Sequence, residues 1–174
     1  MNNLLSVKNL SIVFNKKIKV VDSISFDIPK GKTVALVGES GSGKTVSALS
    51  ILKLLPNSAS YPNGEIIFDN NNILSNSDSQ MQKIRGKKIS AIFQEPMSSL
   101  NPLHTIDKQI KEIILTHNQI TDLEAKNKTI ELLNEVGLQD IAKRPKTYSY
   151  ELSGGQRQRV MIAMAIANKP DLLI

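Results

Sequence analysis

The sequence predicts an α/β fold, and three observations support that prediction. Leu4–Phe14 and Val20–Ile28 alternate apolar and polar residues with the two-residue period of a half-buried strand. Thr33–Val37 is a short apolar run, which is typical of a strand buried on both faces of a parallel sheet. That run leads directly into a glycine-rich turn and a helical pattern at Thr45–Leu55, so strands and helices alternate along the chain.

The remaining strand candidates are shorter. In Val20–Ile28 the apolar residues Ile24, Phe26 and Ile28 are expected on one face. Glu65–Phe68 and Lys88–Phe93 are apolar runs that predict two further strands. Between them, Asp69–Gln80 is rich in Asn and Ser and predicts a loop. A last apolar run, Leu172–Ile174, predicts the start of one more core strand.

Helices dominate the second half of the chain. Asp107–Thr116 has a helical pattern, and Thr121 followed by Glu124 predicts a capping box at the start of the next helix. Gly137 is expected to end that helix, and the stretch from Pro145 to Tyr150 is predicted to be a linker. A final helix is predicted after Ser153 and is stopped by Asn168 and Pro170. Its expected buried face consists of Val160, Ala163, Met164 and Ala167.

Composition bounds the class of protein. The chain has 174 residues, of which 40% are hydrophobic and 22% charged, as is usual for a soluble globular domain. It contains no cysteine, which excludes disulfides and thiolate metal sites. No apolar run approaches the roughly 20 residues that span a bilayer, and the N-terminus does not resemble a secretory signal.

The formal net charge is +6, and the basic residues lie in short scattered groups. Such groups are compatible with nucleic acid or an anionic membrane surface, or with solvated faces and some phosphate binding. With three Tyr, four Phe and no Trp, the chain has little with which to stack bases. We therefore expect no nucleic acid partner.

The strongest motif is Gly38-x-x-x-x-Gly43-Lys44-Thr45, the full Walker A pattern between a predicted strand and a predicted helix. Its glycines let successive backbone N–H groups converge on phosphate oxygens, and the helix N-terminus adds to the attraction. Lys44 is expected to reach the β- and γ-phosphates, and the Thr45 hydroxyl to ligate Mg²⁺. The remaining residues expected around the phosphates are Ser40, Gly41, Ser42 and Val46.

A second phosphate-binding pattern is Ser153-Gly154-Gly155, followed by Gln156. Ser153 suits a helix cap, and the two glycines leave the first N–H groups of the helix bare. Alone, this pattern is more often an ordinary helix start. After a Walker A motif, however, Leu152–Gln156 (LSGGQ) closely resembles the signature motif of ABC-type ATPases, and Gln94, at the end of a predicted strand, resembles their Q-loop residue.

This resemblance covers the whole chain and implies a P-loop NTPase core with an antiparallel β subdomain and a helical subdomain, C-terminally incomplete. Within the nucleotide-binding domain, residues 1–94 are expected to form the core and β subdomain, 95–151 the helical subdomain, and 152–174 the signature helix and the start of the next strand. The resemblance also implies a head-to-tail dimer in which the Walker A loop of one subunit or domain and the signature of another clamp one ATP.

Two further residues receive roles from the resemblance. Phe14 is similar to the aromatic residue that stacks on adenine, although a strand residue packed in the core is an equally plain interpretation. Gln94 is similar to the residue that senses Mg²⁺ and the attacking water, so we expect it to serve in catalysis and metal binding beside Lys44; otherwise it is a polar strand end.

A finer resemblance lies in Gln94–Pro102 (QEPMSSLNP) and Val160–Ala167 (VMIAMAIA). Both are similar to importers of oligopeptides, dipeptides, nickel and microcin C. The implied partners are transmembrane permease subunits, and the implied location is peripheral, on the cytoplasmic face of the plasma membrane. One departure is Tyr148-Ser149-Tyr150, where the family often has Tyr-Pro-His.

The family's catalytic Asp-Glu pair and its switch His are expected beyond Ile174. The chain has two histidines, His104 and His117, but both precede the signature motif, so neither can replace the switch His. The expectation for these 174 residues is therefore weak nucleotide binding without turnover. The alternatives are a non-catalytic remnant and an ABC ATPase acting in translation or DNA repair. The Gln94–Pro102 segment and the lack of a long coiled-coil insertion argue against the last.

Overall fold

The computed structural model describes residues 3–93, 99–144 and 146–174. It divides into two compact units, Met1–Gln82 and Lys83–Ile174. Among the described residues no helix is both long and apolar enough to cross a membrane.

The first unit is built on an antiparallel sheet of four strands in the order β2-β1-β3-β4. The strands are β1 (Asn3–Phe14), β2 (Ile18–Pro29), β3 (Ala59–Phe68) and β4 (Asn71–Asn72). Two helices and a 3-10 turn accompany them: α1 (Lys44–Ile51), the turn Ile73–Ser75, and α2 (Asp78–Gln82). The predicted β1 and β2 are confirmed, and Ile24, Phe26 and Ile28 share a half-buried face as expected.

Strand β1 departs from strict alternation. Leu5 and Val7 are buried, but the next buried apolar residue is Leu10, and Ser11 and Ile12 are buried as well. The register with β2 shifts between Val7 and Leu10, and Asn9 between them is left-handed. A bulge of this kind inserts an extra residue and returns the following side chains to the core face.

The prediction of a strand at Thr33–Val37 is wrong. These residues are exposed and form no strand, and the side chain of Val37 is 90% exposed. A buried parallel strand is held by ladders of hydrogen bonds to its neighbours, and no described strand pairs with this segment. Its apolar residues therefore lack the partners that the sequence pattern presupposes.

Helix α1 ends at Ile51, four residues before the predicted end at Leu55. Lys53 has a left-handed backbone at φ 49°. Its N–H donates to the Ser50 carbonyl, and the Leu54 N–H donates to the Leu49 carbonyl, which is the hydrogen-bond pattern of a Schellman motif. The Lys53 ammonium also donates to the carbonyls of Leu74 and Asn76, at 3.0 and 2.7 Å. These bonds offset the cost of a left-handed lysine, which is why no glycine marks the stop.

The loop predicted at Asp69–Gln80 holds more structure than expected. It contains β4, the 3-10 turn and the start of α2. Asn72 Oδ1 accepts from the Leu74 N–H, and Ser77 and Gln80 exchange hydrogen bonds at the start of α2. The Asn and Ser residues that indicate a loop are here the caps of short helical turns.

The described part of the second unit includes a two-stranded parallel sheet and the four helices named below. The strands are β5 (Ile89–Ser90) and β6 (Leu172–Leu173). The helices are α3 (Ile106–His117), α4 (Asp122–Glu135), α5 (Gln139–Ala142) and α6 (Gly154–Ile166), with a 3-10 turn at Ser149–Glu151. β5 is shorter than the predicted Lys88–Phe93, because its ladder with β6 involves two residues of each strand.

One hydrophobic core joins the long helices of this unit. Helix α3 contributes Ile106, Ile110 and Ile114, spaced four residues apart as one helical face requires. Helix α6 contributes Val160 and Ala163, confirming part of the predicted face, whereas Met164 and Ala167 pack at its margin and are partly buried.

The predicted capping box of α4 is present. Thr121 Oγ1 accepts from the Glu124 N–H at 3.2 Å, and a Glu124 carboxylate oxygen accepts from the Thr121 N–H at 2.7 Å. Accepting that bond holds the pKa of the Glu124 carboxyl below its usual value. Gly137, left-handed at φ 74°, follows the end of the helix as predicted.

Candidate functional site

The Gly38–Gly43 turn forms an exposed loop in the first unit, ending in a buried glycine that precedes α1. Gly41 and Gly43 are both left-handed, at φ 81° and 86°. The Ser42 N–H donates to the Glu39 carbonyl at 3.2 Å and closes the turn. The loop therefore folds back on itself immediately before the first helical residue.

Gly43 is held tightly between this loop and β2. A Cβ built on it would lie 3.0 Å from the Val20 carbonyl oxygen and 3.1 Å from Val21 Cγ2. Its own carbonyl accepts from the backbone N–H of Ser47 at 2.8 Å and from the Ser47 hydroxyl at 2.9 Å. The position thus requires glycine both for its left-handed backbone and for the close approach of β2.

The Lys44 side chain curls back over the loop. Its ammonium nitrogen donates to the Gly38 carbonyl at 2.7 Å, the Glu39 carbonyl at 2.6 Å and the Ser42 hydroxyl at 3.2 Å. An ammonium has three N–H donors, so all three are engaged. An arriving anion must replace or share one of these acceptors, and the longest bond, to Ser42, is the weakest of the three.

The start of α1 is open to an anion. Gly43 precedes the helix without a side-chain cap, and the first turn has no acidic residue. The first N–H groups of a helix have no partner within it, and the helix dipole concentrates positive charge there. Thr45 is exposed in this turn, with its hydroxyl available, and Val46 is half-buried.

Helix α6 in the second unit begins differently. Ser153 Oγ accepts from the Gln156 N–H at 3.3 Å, while Gln156 Oε1 accepts from the Ser153 N–H at 2.9 Å. The predicted cap is thus confirmed as a reciprocal capping box. Gly154 and Gly155 are exposed, and a Cβ on either would meet no atom within 4 Å. Their backbone faces open space, as an anion-binding turn requires.

Two predicted site residues have other outcomes. Phe14 is half-buried at the end of β1, paired with Ile18 of β2 and Ala59 of β3. That position leaves Phe14 partly exposed, so both interpretations of the residue stay open. Gln94 lies outside the described residues.

The structure also assigns parts to residues that the motif does not contain. The Glu39 carbonyl holds Lys44, the Ser47 hydroxyl binds the Gly43 carbonyl, and Val20 and Val21 form the wall behind Gly43. A serine four residues after the last loop glycine could have suggested the Ser47 bond. The wall has no signal in the sequence, because it comes from a strand more than 20 residues away.

Comparison with known proteins gives consistent results. A family model described as ABC transporter matches residues 21–174. The chain is 56% identical over 175 residues to the peptidoglycan transport ATP-binding protein YejF of Agrobacterium fabrum (strain C58 / ATCC 33970), covering 98% of this chain and 32% of that protein. It is 45% identical to the oligopeptide transport ATP-binding protein OppD of Bacillus subtilis (strain 168), covering 98% of this chain and 49% of the relative.

Among solved structures, the chain is similar to a dimeric ATP-binding cassette in a post-hydrolysis state bound to ADP and Pi. The TM-score is 0.83 at 28% identity, over 97% of this chain and 72% of that one. The chain thus spans about a third of the first curated relative and about half of the second.

Proposed function

The chain belongs to the ABC transporter family, and from that premise we propose that it forms the ATP-binding site of a peptide importer. The observation that carries the proposal is the Walker A loop, with Lys44 curled over it and an uncapped, acid-free helix N-terminus behind it. This arrangement suits the β- and γ-phosphates of a nucleotide better than any other common ligand.

In this proposal the backbone of Gly38–Gly43 and the first N–H groups of α1 surround the phosphates, and Lys44 exchanges its Ser42 bond for a phosphate oxygen. Phe14, half-buried at the end of β1, would supply the aromatic ring that stacks on adenine. The Thr45 hydroxyl, exposed in a turn without competing carboxylates, fits a Mg²⁺ ligand, with Gln94 as the second protein ligand. When bound, Mg²⁺ neutralises charge on the phosphate oxygens.

We further propose that the two phosphate sites act on one nucleotide from different subunits or domains. Ser153, Gly154, Gly155 and Gln156 would then close on the γ-phosphate of an ATP held by the Walker A loop of a second copy or paralogous domain. The open backbone at the two glycines supports this role, since an N–H group there can approach an oxygen without steric hindrance. The division into residues 1–94, 95–151 and 152–174 is part of this proposal.

Peptides are the proposed cargo, and permease subunits the proposed membrane partners. The names of relatives such as OppD support peptides as the cargo, and the resemblance of Gln94–Pro102 to peptide importers supports permease subunits as the partners. The corresponding location is the cytoplasmic face of the membrane, where the permease would hold the protein. A pull-down of the permease subunits with the tagged protein from solubilised membranes tests this assignment, and their absence from the eluate contradicts it.

Nucleotide titration tests the site itself. Lys44→Ala removes a charged donor to the phosphates, and loss of such a bond, worth about 1.5–3 kcal/mol, lowers affinity about tenfold or more. Lys30→Ala is the matched control, because Lys30 is an exposed lysine in a turn of the same unit. Fluorescence titration with a labelled ATP analogue measures both variants. Equal affinities of Lys44→Ala and the unsubstituted protein would contradict the site; the expectation of weak binding by these 174 residues alone is checked in the same titration.

A further inference from the structure

The first turn of α6 follows Leu152, which is buried in the hydrophobic core, but its own residues are exposed or half-buried. Its capping box links Ser153 and Gln156 to each other. Gly154 and Gly155 contribute no side chains, and a Cβ added at either would meet no atom within 4 Å. Glycine is also the most flexible residue, so the orientation of this turn depends on the residues on either side of it.

Two arginines follow, and each reaches a backbone carbonyl outside the helix. Arg157 Nε donates to the Ser149 carbonyl at 2.8 Å, in the 3-10 turn just before the helix. Arg159 Nη1 donates to the Gly137 carbonyl at 3.1 Å, beyond the end of α4, while its Nε lies 3.4 Å from the Gly155 carbonyl. One guanidinium thus links the first turn of α6 to a different helix.

The Gly137 carbonyl is a well-defined acceptor. The Gly137 N–H donates to the Asn134 carbonyl, and the Leu138 N–H donates to the Leu133 carbonyl. These are the two hydrogen bonds of a Schellman motif. Leu133 and Leu138 are both in the hydrophobic core, so the motif is anchored. A cation beside the last carbonyls of α4 also complements the helix dipole. A Cβ on Gly137 would lie 3.3 Å from Arg159 Nη1, which shows how closely the guanidinium is seated.

No described carboxylate lies within ion-pair distance of Arg159. Its positive charge therefore has no carboxylate partner in the part of the chain that the structure describes, and it lies within two turns of the N–H groups of Gly154 and Gly155. A planar guanidinium can hold two carbonyls at fixed angles, which a lysine ammonium on a flexible stem does less well.

We propose that Arg159 is a positioning residue that fixes the signature turn against the end of α4 so that its N–H groups meet a nucleotide held by a second subunit. This inference rests on the proposed function. It separates two properties of the protein: nucleotide binding by the Walker A loop of one subunit does not involve Arg159, whereas ATP-dependent association of two subunits does.

The test uses the intact protein and compares Arg159→Ala, Arg159→Lys and Gln158→Ala. Gln158 is exposed on the same turn and makes no described hydrogen bond, so it is the matched control. Nucleotide affinity is measured by fluorescence titration at protein concentrations too low for association. Association is measured by sedimentation velocity in ATP with EDTA, so that hydrolysis does not intervene, and the unfolding midpoint of each variant is recorded.

We expect Arg159→Ala to keep the nucleotide affinity within about twofold and to weaken association about tenfold, since one charge-assisted bond is lost. Arg159→Lys recovers part of the association, and Gln158→Ala behaves as the unsubstituted protein. Unchanged association in Arg159→Ala overturns the inference. A parallel loss of nucleotide affinity and unfolding midpoint also overturns it, because Arg159 then supports folding in general. If the unsubstituted protein binds ATP but never associates, both the proposed two-subunit function and this inference are refuted. If it does not bind ATP, the proposed Walker A site is refuted first.

Discussion

Gly43 and Gly41 allow a direct test of what the Gly38–Gly43 loop requires of its glycines. Both are left-handed, at φ 81° for Gly41 and 86° for Gly43, so an alanine at either position bears the same backbone strain. That strain is about 1–2 kcal/mol for an L-residue. They differ in their surroundings, because a Cβ on Gly41 meets nothing within 4 Å, whereas one on Gly43 meets the Val20 carbonyl and the Val21 side chain.

The expected magnitudes follow from that difference. Gly41→Ala lowers the free energy of unfolding by the backbone strain alone. Part of that loss is offset because alanine has less conformational freedom than glycine in the unfolded chain, an effect of about 0.4–1 kcal/mol. Gly43→Ala costs the same and adds the overlap at 3.0 and 3.1 Å. Forcing a methyl group into a packed site costs about 1–3 kcal/mol. The free energy of unfolding of Gly43→Ala should therefore be lower than that of Gly41→Ala by about 1–3 kcal/mol.

Urea unfolding without nucleotide, followed by circular dichroism, measures this difference free of any effect on phosphate binding. A subsequent nucleotide titration should show a larger loss for Gly43→Ala, because the displaced β2 wall moves the start of α1. If the two variants unfold at the same urea concentration, the close approach of Val20 to Gly43 does not constrain the loop and the reasoning fails.

Three further predictions concern the second unit. Burial, followed by the charge of Lys87, lowers the pKa of His117 below its usual value, so the folded state disfavours the protonated ring. The free energy of unfolding should then fall as the pH drops below about 6.5, because the unfolded chain takes up the proton first. Urea unfolding curves recorded over a pH series measure this dependence, and it should be smaller in His117→Gln. Thr121→Ala removes one half of the capping box and should cost about 1 kcal/mol, measured by the urea midpoint, whereas an unchanged midpoint would mean that the cap is not required. Asn168→Ala leaves two backbone carbonyls and Asn118 without their shared partner, and should cost about 1–3 kcal/mol by the same assay.

The site was predictable where one short segment contains it. The Walker A residues from Gly38 to Thr45 and the cap at Ser153 follow from spacing, because turn glycines, a helix start and a capping side chain act over three or four residues. The engagement of Lys44 with the Glu39 carbonyl could not be predicted, since backbone acceptors carry no side-chain signal. The same holds for Arg159, whose acceptor is a carbonyl 22 residues earlier in the chain.

Local sequence specified strands β1 and β2, helices α3, α4 and α6, the caps of α4 and α6, and the two glycine-rich turns that precede α1 and begin α6. Each depends on residues close together in the chain. Which apolar runs are buried depends instead on tertiary packing. Thr33–Val37 has the pattern of a core strand but no described neighbour, and β1 keeps its face inward through a bulge set by pairing with β2. Burial and register depend on partners that are distant in sequence, and periodicity within one segment cannot specify them.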